Sequence, residues 1–71
     1  MDKIELKVGT RFQQAWKLVQ KPMWFEVLKI DRTSNSIEVE CYAPDGFSTF
    51  PETWSLDSTE MGFKIGDYKL L

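Results

Sequence analysis

The sequence predicts a mainly β protein: a small barrel of five to six short antiparallel strands with one short helical turn. Three observations carry that reading. WFEVLKI (24–30) and SIEVECYA (36–43) are rich in β-branched and aromatic residues, the composition of strands. The polar run between them, Asp31 to Ser36, offers local side-chain hydrogen bonds that compete with a regular ladder, so it turns the chain. The third is length: 71 residues are too few for two cores, so 1–71 is expected to be a single domain. Closing its short strands into a barrel would remove their exposed edges.

Taken in order, Ile4, Leu6 and Val8 alternate with Glu5 and Lys7, the period of a half-buried strand ending at Gly9. Residues 10–20 admit two readings. As a strand, Phe12, Trp16 and Leu18 point inward with Gln14, and Lys21-Pro22 turns the chain into WFEVLKI. As a helix, Thr10 is the N-cap with Gln13 three residues on, Phe12, Ala15, Trp16 and Val19 share a face, and Pro22 stops it. The helical reading makes the fold α+β, with residues 10–20 packed against a β-meander.

For the central hairpin, an uninterrupted register with Ile30 opposite Ile37 sets Leu28 opposite Val39, Glu26 opposite Cys41 and Trp24 opposite Ala43. One face then holds Trp24, Leu28, Ile30, Ile37, Val39, Cys41 and Ala43, the core by apolar count. The other holds Phe25, Val27, Lys29, Glu38, Glu40 and Tyr42, with Lys29 across from Glu38 and Phe25 across from Tyr42. Glu26 is the misfit, since a buried carboxylate without a partner costs several kcal/mol. It sits near the open end, or a bulge between Val27 and Leu28 turns it outward.

Pro44-Asp45-Gly46 is a turn with a mechanism: Pro presets φ, Asp bonds its own backbone and Gly accepts positive φ. FSTF (47–50) returns as a third strand that Pro51 ends. ETWSLDSTEMG is too polar for a long strand, and Asp57 with Glu60 caps one helical turn closed by Gly62. In FKIGDYKLL, Phe63 and Ile65 alternate around Lys64, Gly66-Asp67 turns or bulges the chain, and Tyr68 to Leu71 forms the closing strand beside IELKV.

KVG near the start, then WFEVLKID, a polar turn, SIEVE and a final GDYKL together loosely resemble the SH3-like barrels of small bacterial and phage proteins. The resemblance spans most of the chain as an order of strands without a diagnostic motif. It implies an architecture and not a function, because such barrels serve many. The acidic loop and paired tyrosines of a eukaryotic signalling SH3 domain do not stand out, which argues against proline-rich ligands.

The residues offer little chemistry. There is no histidine, the commonest general base and metal ligand near neutral pH. Cys41, the one thiol, falls mid-strand on the expected core face with no adjacent cation to lower its pKa. Glu38 and Glu40 share a strand face at i, i+2, a spacing that solvated strands meet routinely. Asp45, Asp57, Glu60 and Asp67 read as turn and cap residues. The four glycines are isolated, so they build no phosphate cradle, and no zinc or calcium ligand spacing occurs. The expectation is a protein that is not an enzyme and uses no cofactor or metal.

What stands out is ten aromatic residues, more than so small a core encloses. The hairpin register nominates Phe25, Val27, Tyr42 and Trp54 as a partner-binding patch, with Lys29 and Glu40 as its polar rim. The competing structural reading folds Trp16 and Trp54 over that face as a second small core. The expected function is a protein-interaction module or accessory protein, of the kind mobile elements carry, that binds a protein partner or self-associates. The alternative is a single-stranded nucleic-acid-binding barrel, with Lys3, Lys7, Arg11, Lys17, Lys21 and Lys29 tracking phosphates. The formal charge of −2 argues against it. MDKIELKVG lacks the apolar run of a signal peptide, and no segment is long and apolar enough to span a membrane. With a single cysteine, this points to a cytoplasmic protein.

Overall fold

In the computed structural model, which describes residues 5–16, 20–45 and 49–71, the chain is mainly β. The elements are β1 (Arg11–Gln14), β2 (Trp24–Asp31), β3 (Ser36–Tyr42), β4 (Thr49–Ser55), α1 (Leu56–Lys64) and β5 (Tyr68–Leu70). All five strands join one antiparallel sheet in the order β4-β3-β2-β1-β5. Residues 10–20 thus contribute a strand, with Phe12 fully buried. Trp16 is exposed rather than inward, and Leu18 lies outside the described residues.

The hairpin is anchored as its turn dictates, with Ile30 opposite Ile37 and Lys29 opposite Glu38. Asp31 Oδ1 accepts from the N–H groups of Thr33 and Ser34, and Asn35 takes the left-handed φ of 56° that the bend requires. Past Lys29 the register shifts. Val27 pairs with Val39, Glu26 with Glu40, Phe25 with Cys41 and Trp24 with Tyr42. Leu28 is the extra residue of a β-bulge and is exposed. One added residue exchanges the faces of everything before it. The uninterrupted register is therefore corrected: Phe25 and Val27 are buried core residues, and Trp24 lies on the outer face.

The bulge also resolves Glu26, which turns outward and receives the Arg11 Nε–H at 3.3 Å. On the inner face, Phe12, Phe25, Val27, Ile37, Val39 and Cys41 join Leu6 and the helix residues Leu56 and Phe63 in one apolar core. Fully burying side chains of this kind contributes roughly 1.5–3 kcal/mol each.

Two edges depart from the sequence reading. Glu5 to Lys7 form no strand, although Leu6 is buried, so β5 pairs with β1 instead. At the other edge, β4 runs straight through Pro51 to Ser55. An edge strand leaves alternate N–H groups outside the ladder, which is where a proline fits. Gly46 and Phe47, called turn and strand from the sequence, lie outside the described residues.

The helix is longer than the single turn expected. Ser55 is its N-cap, accepting from the Ser58 N–H at 3.3 Å. Asn35 completes the cap from the β2–β3 turn, its carbonyl accepting from Leu56 N–H at 3.0 Å and its Oδ1 from Asp57 N–H at 2.9 Å. Three of the four free N–H groups of a helix start are met in this way. Asp57 and Glu60 are then ordinary helix residues, and Gly62 and Phe63 lie inside the helix instead of ending it. The turn at Gly66, φ 90°, leads into β5.

Because α1 connects one edge strand to the other, it crosses the inner face of the sheet. Trp54 of β4 and Tyr68 of β5 curl toward each other, ring centroids 6.0 Å apart and nearly parallel. No ladder joins β4 to β5. The sheet is therefore not closed into a barrel; the helix and this ring pair occupy the place where a closing ladder would run.

Candidate functional site

The four residues nominated from the sequence do not form one surface patch: Phe25, Val27 and Trp54 meet on the inner face, and Tyr42 lies on the outer one. Phe25 and Val27 are buried at 4% and 1% exposure, and neither reaches the surface. Trp54 is half-buried on the inner face, in edge contact with Phe25 and Phe12, and its indole N–H donates to Glu52 Oε1 at 2.7 Å. Tyr42 alone is on the outer face, and there its ring stacks on Trp24, centroids 3.8 Å apart and 4° from parallel. Arg11 lies over Trp24, its guanidinium carbon 5.8 Å from the ring centroid. The result is a side-chain ladder across β1, β2 and β3 that ties three strands together. One indole face is covered by the Tyr42 ring, which takes that face of Trp24 away from any stacking guest.

The proposed rim residues lie on the same outer face as Tyr42. Lys29 faces Glu38 across the strands, and Glu40 faces Glu26. A polar recess of about 230 Å³ lies on this face between Lys29, Asp31, Glu38 and Thr53, with no apolar side chain to anchor a ligand. Among the described residues no three His, Cys, Asp or Glu side chains gather as they would around a metal ion.

Cys41 is buried in the core, where desolvation, with Glu52 and Glu40 adding, pushes its thiol up to about 11. It is a neutral thiol at physiological pH, without the thiolate a nucleophile needs. Burial also raises the Tyr68 hydroxyl, with Asp67 adding to the effect. Thr59, buried within the helix, donates to the Ser55 carbonyl at 2.9 Å, and no buried side-chain N or O among the described residues lacks a partner.

Large apolar side chains are exposed at several places, Val8, Trp16, Phe50 and Leu70 among them, and the pair that borders a groove lies at α1. Its inner side is spent on the core through Leu56, Thr59 and Phe63, while Met61 and the C-cap residue Ile65, one turn on, are 51% and 63% exposed. Side chains at i, i+4 lie one above the other. Beside them Gly62 has no side chain, so the ring of Tyr68 packs against the helix backbone. These four residues line a groove of about 380 Å³, with Asp57 and Asp67 also lining it. That volume is at the low end of the range in which pockets hold ligands, roughly 300–1,000 Å³.

The sequence reading places Met61 in a helical turn closed by Gly62 and sets Ile65 alternating with Phe63 along a strand, so it brings no groove together here. A helical signal was nonetheless present: Ser55 as N-cap before Leu56, Thr59 and Phe63 at helical spacing.

No family model, no curated protein and no solved structure matches this chain. Among the described residues no helix is long and apolar enough to cross a membrane.

Proposed function

We propose that this chain is a small non-enzymatic protein-interaction module that docks a protein partner in the groove between Met61, Ile65 and Tyr68. The observation that carries the reading is the exposure, beside a groove, of Met61 and the C-cap residue Ile65 of a helix whose other side already fills the core. Folding gains nothing from two large apolar side chains held in water, whereas binding does. Helix-borne apolar side chains beside a groove are a recurrent mode of protein recognition. The neutral, buried thiol of Cys41 supports the non-enzymatic part, and a reducing cytoplasm is the compartment we propose for it.

Single-stranded nucleic-acid binding is the weaker reading. Of the cations it would use, Arg11 is engaged with Glu26 and Trp24 and Lys29 faces Glu38. Lys3 and Lys17 lie outside the described residues. A salt titration separates the two readings, because phosphate contacts weaken steeply with added salt.

The test of the interaction reading combines light scattering after size exclusion with capture from host lysate on wild-type and Ile65→Lys protein. The substitution is on the surface and should change stability by no more than about 0.5 kcal/mol. Loss of a captured partner, or of a dimer, in the folded variant supports the reading. Equal capture by both proteins refutes it.

A further inference from the structure

We infer that the groove on α1 takes a basic segment presenting one apolar side chain, an inference that rests on the interaction reading above. The apolar half follows from the lining: Gly62 and the Tyr68 ring make a floor, and Met61 and Ile65 stand beside it. With no β-carbon at position 62, helix backbone and aromatic ring meet directly, and the groove beside them, of about 380 Å³, has room for a guest aliphatic or aromatic group.

The basic half follows from charge. Asp57, in the first turn of α1, and Asp67, in the turn before β5, both line the groove, and no lysine or arginine lines it. Lys64, the cation of the last helical turn, does not contribute to the lining either. Among the described residues neither Asp57 nor Asp67 forms a salt bridge. A partner whose apolar anchor enters here must bring its flanking residues against two carboxylates. An acidic flank is repelled, a neutral one is indifferent and a basic one is attracted, and opposite charges at the edge of an interface speed encounter and select the partner. The guest is therefore a peptide segment with lysine or arginine on both sides of a single large apolar residue.

The experiment uses the full chain, ¹⁵N-labelled, titrated with three synthetic peptides that share a central leucine flanked by lysine, serine or glutamate. Chemical-shift changes at Met61, Gly62, Ile65 and Tyr68 report the site. The lysine peptide should bind on the order of tenfold tighter than the serine peptide at low salt, and the gap should shrink as salt screens the rim. The doubly substituted D57N/D67N protein should retain binding of the serine peptide and lose the preference. Equal affinities for all three peptides at the groove, or a preference for glutamate, would overturn the inference and leave the interaction reading standing. No groove shift with any peptide would remove both. Groove shifts that follow protein concentration alone would identify a second copy of this chain as the guest and would also overturn the basic-segment assignment.

Discussion

The ring of Tyr68 lies so close to Gly62 that a β-carbon there would meet its Cε2 at 2.5 Å and its Cδ2 at 2.6 Å. Tyr68 cannot easily withdraw, since its ring also contacts Phe12, Phe63 and Trp54 at centroid distances of 5.2, 5.6 and 6.0 Å. In an exposed helix Gly→Ala gains about 1 kcal/mol. Here we expect Gly62→Ala to destabilise, because overpacking a filled site costs typically 1–3 kcal/mol. Urea unfolding measures the sign. A double-mutant cycle with Tyr68→Val should show coupling, and a stabilised Gly62→Ala protein would mean that the ring is free to move.

Phe25 and Tyr42 were equivalent in sequence and are not in the structure. Phe25→Ala opens the core and should cost about 3–5 kcal/mol, enough to unfold most of a domain this small. Tyr42→Ala removes one rung of the Arg11–Trp24–Tyr42 ladder, worth about 0.5–1.5 kcal/mol for the ring pair, and should leave a folded protein. Thermal melts followed by circular dichroism distinguish them, and similar melting points for the two variants would contradict the bulged register.

Asn35 links the hairpin turn to the start of α1 and holds a left-handed backbone. Asn35→Ala loses the side-chain acceptor and strains the backbone, for a combined cost of about 2–3 kcal/mol. Asn35→Gly keeps the conformation and loses only the acceptor, so its cost should be nearer 1 kcal/mol. The Asn35→Ala midpoint should be the lower of the two; the reverse order would contradict the left-handed backbone at this position, and an Asn35→Gly midpoint equal to the wild type's would show that the side-chain cap contributes nothing.

Two pH effects of opposite sign follow from the protonation equilibria. Cys41 is raised from 9.0 to about 11 by burial, and Tyr68 is raised for the same first reason. Both hold their protons more tightly when folded, so their contribution is complete below the unfolded value and is lost as pH rises through the folded one. Stability should decline between pH 9.0 and about 11. Cys41→Ala, although less stable near neutrality, should show a shallower decline.

In acid, Asp31 behaves the other way. The Ser34 N–H and then its hydroxyl, with Thr33 and Lys29 adding, hold its carboxyl below the ordinary 3.8 against a smaller opposing effect of burial. Its contribution is present above that value and disappears as pH falls through the lower, folded one. Asp31→Asn should be less sensitive to that acid range than the wild type, as urea unfolding across it would report.

How far the sequence could be read depends on which residues set each feature. The Asp31–Ser36 turn is local chemistry, so Ile30–Ile37 and Lys29–Glu38 were legible as pairs. The bulge was visible only as the misfit of Glu26. Both faces of WFEVLKI carry apolar residues, so the count that favoured Trp24, Leu28 and Ile30 could not choose between an uninterrupted register and the bulge between Val27 and Leu28 that Glu26 invited. The extension of β4 through Pro51 was hidden because its edge position depends on where distant strands pair. α1 was read as one turn because Gly62 looked like a stop, and its role as the seat for Tyr68 needs the chain that follows it. The groove on the helix inherited that obscurity.

The hairpin buries Phe25 and Val27, while Met61 of α1 and its C-cap residue Ile65 stand exposed. Methyl NMR in the presence of a soluble paramagnetic agent tests this arrangement without any partner. Strong broadening is expected of the Met61 and Ile65 methyls and little of those of Val27 and Val39. Broadening of Val27 as strong as that of Ile65, or an Ile65 methyl shielded like Val39, would contradict it.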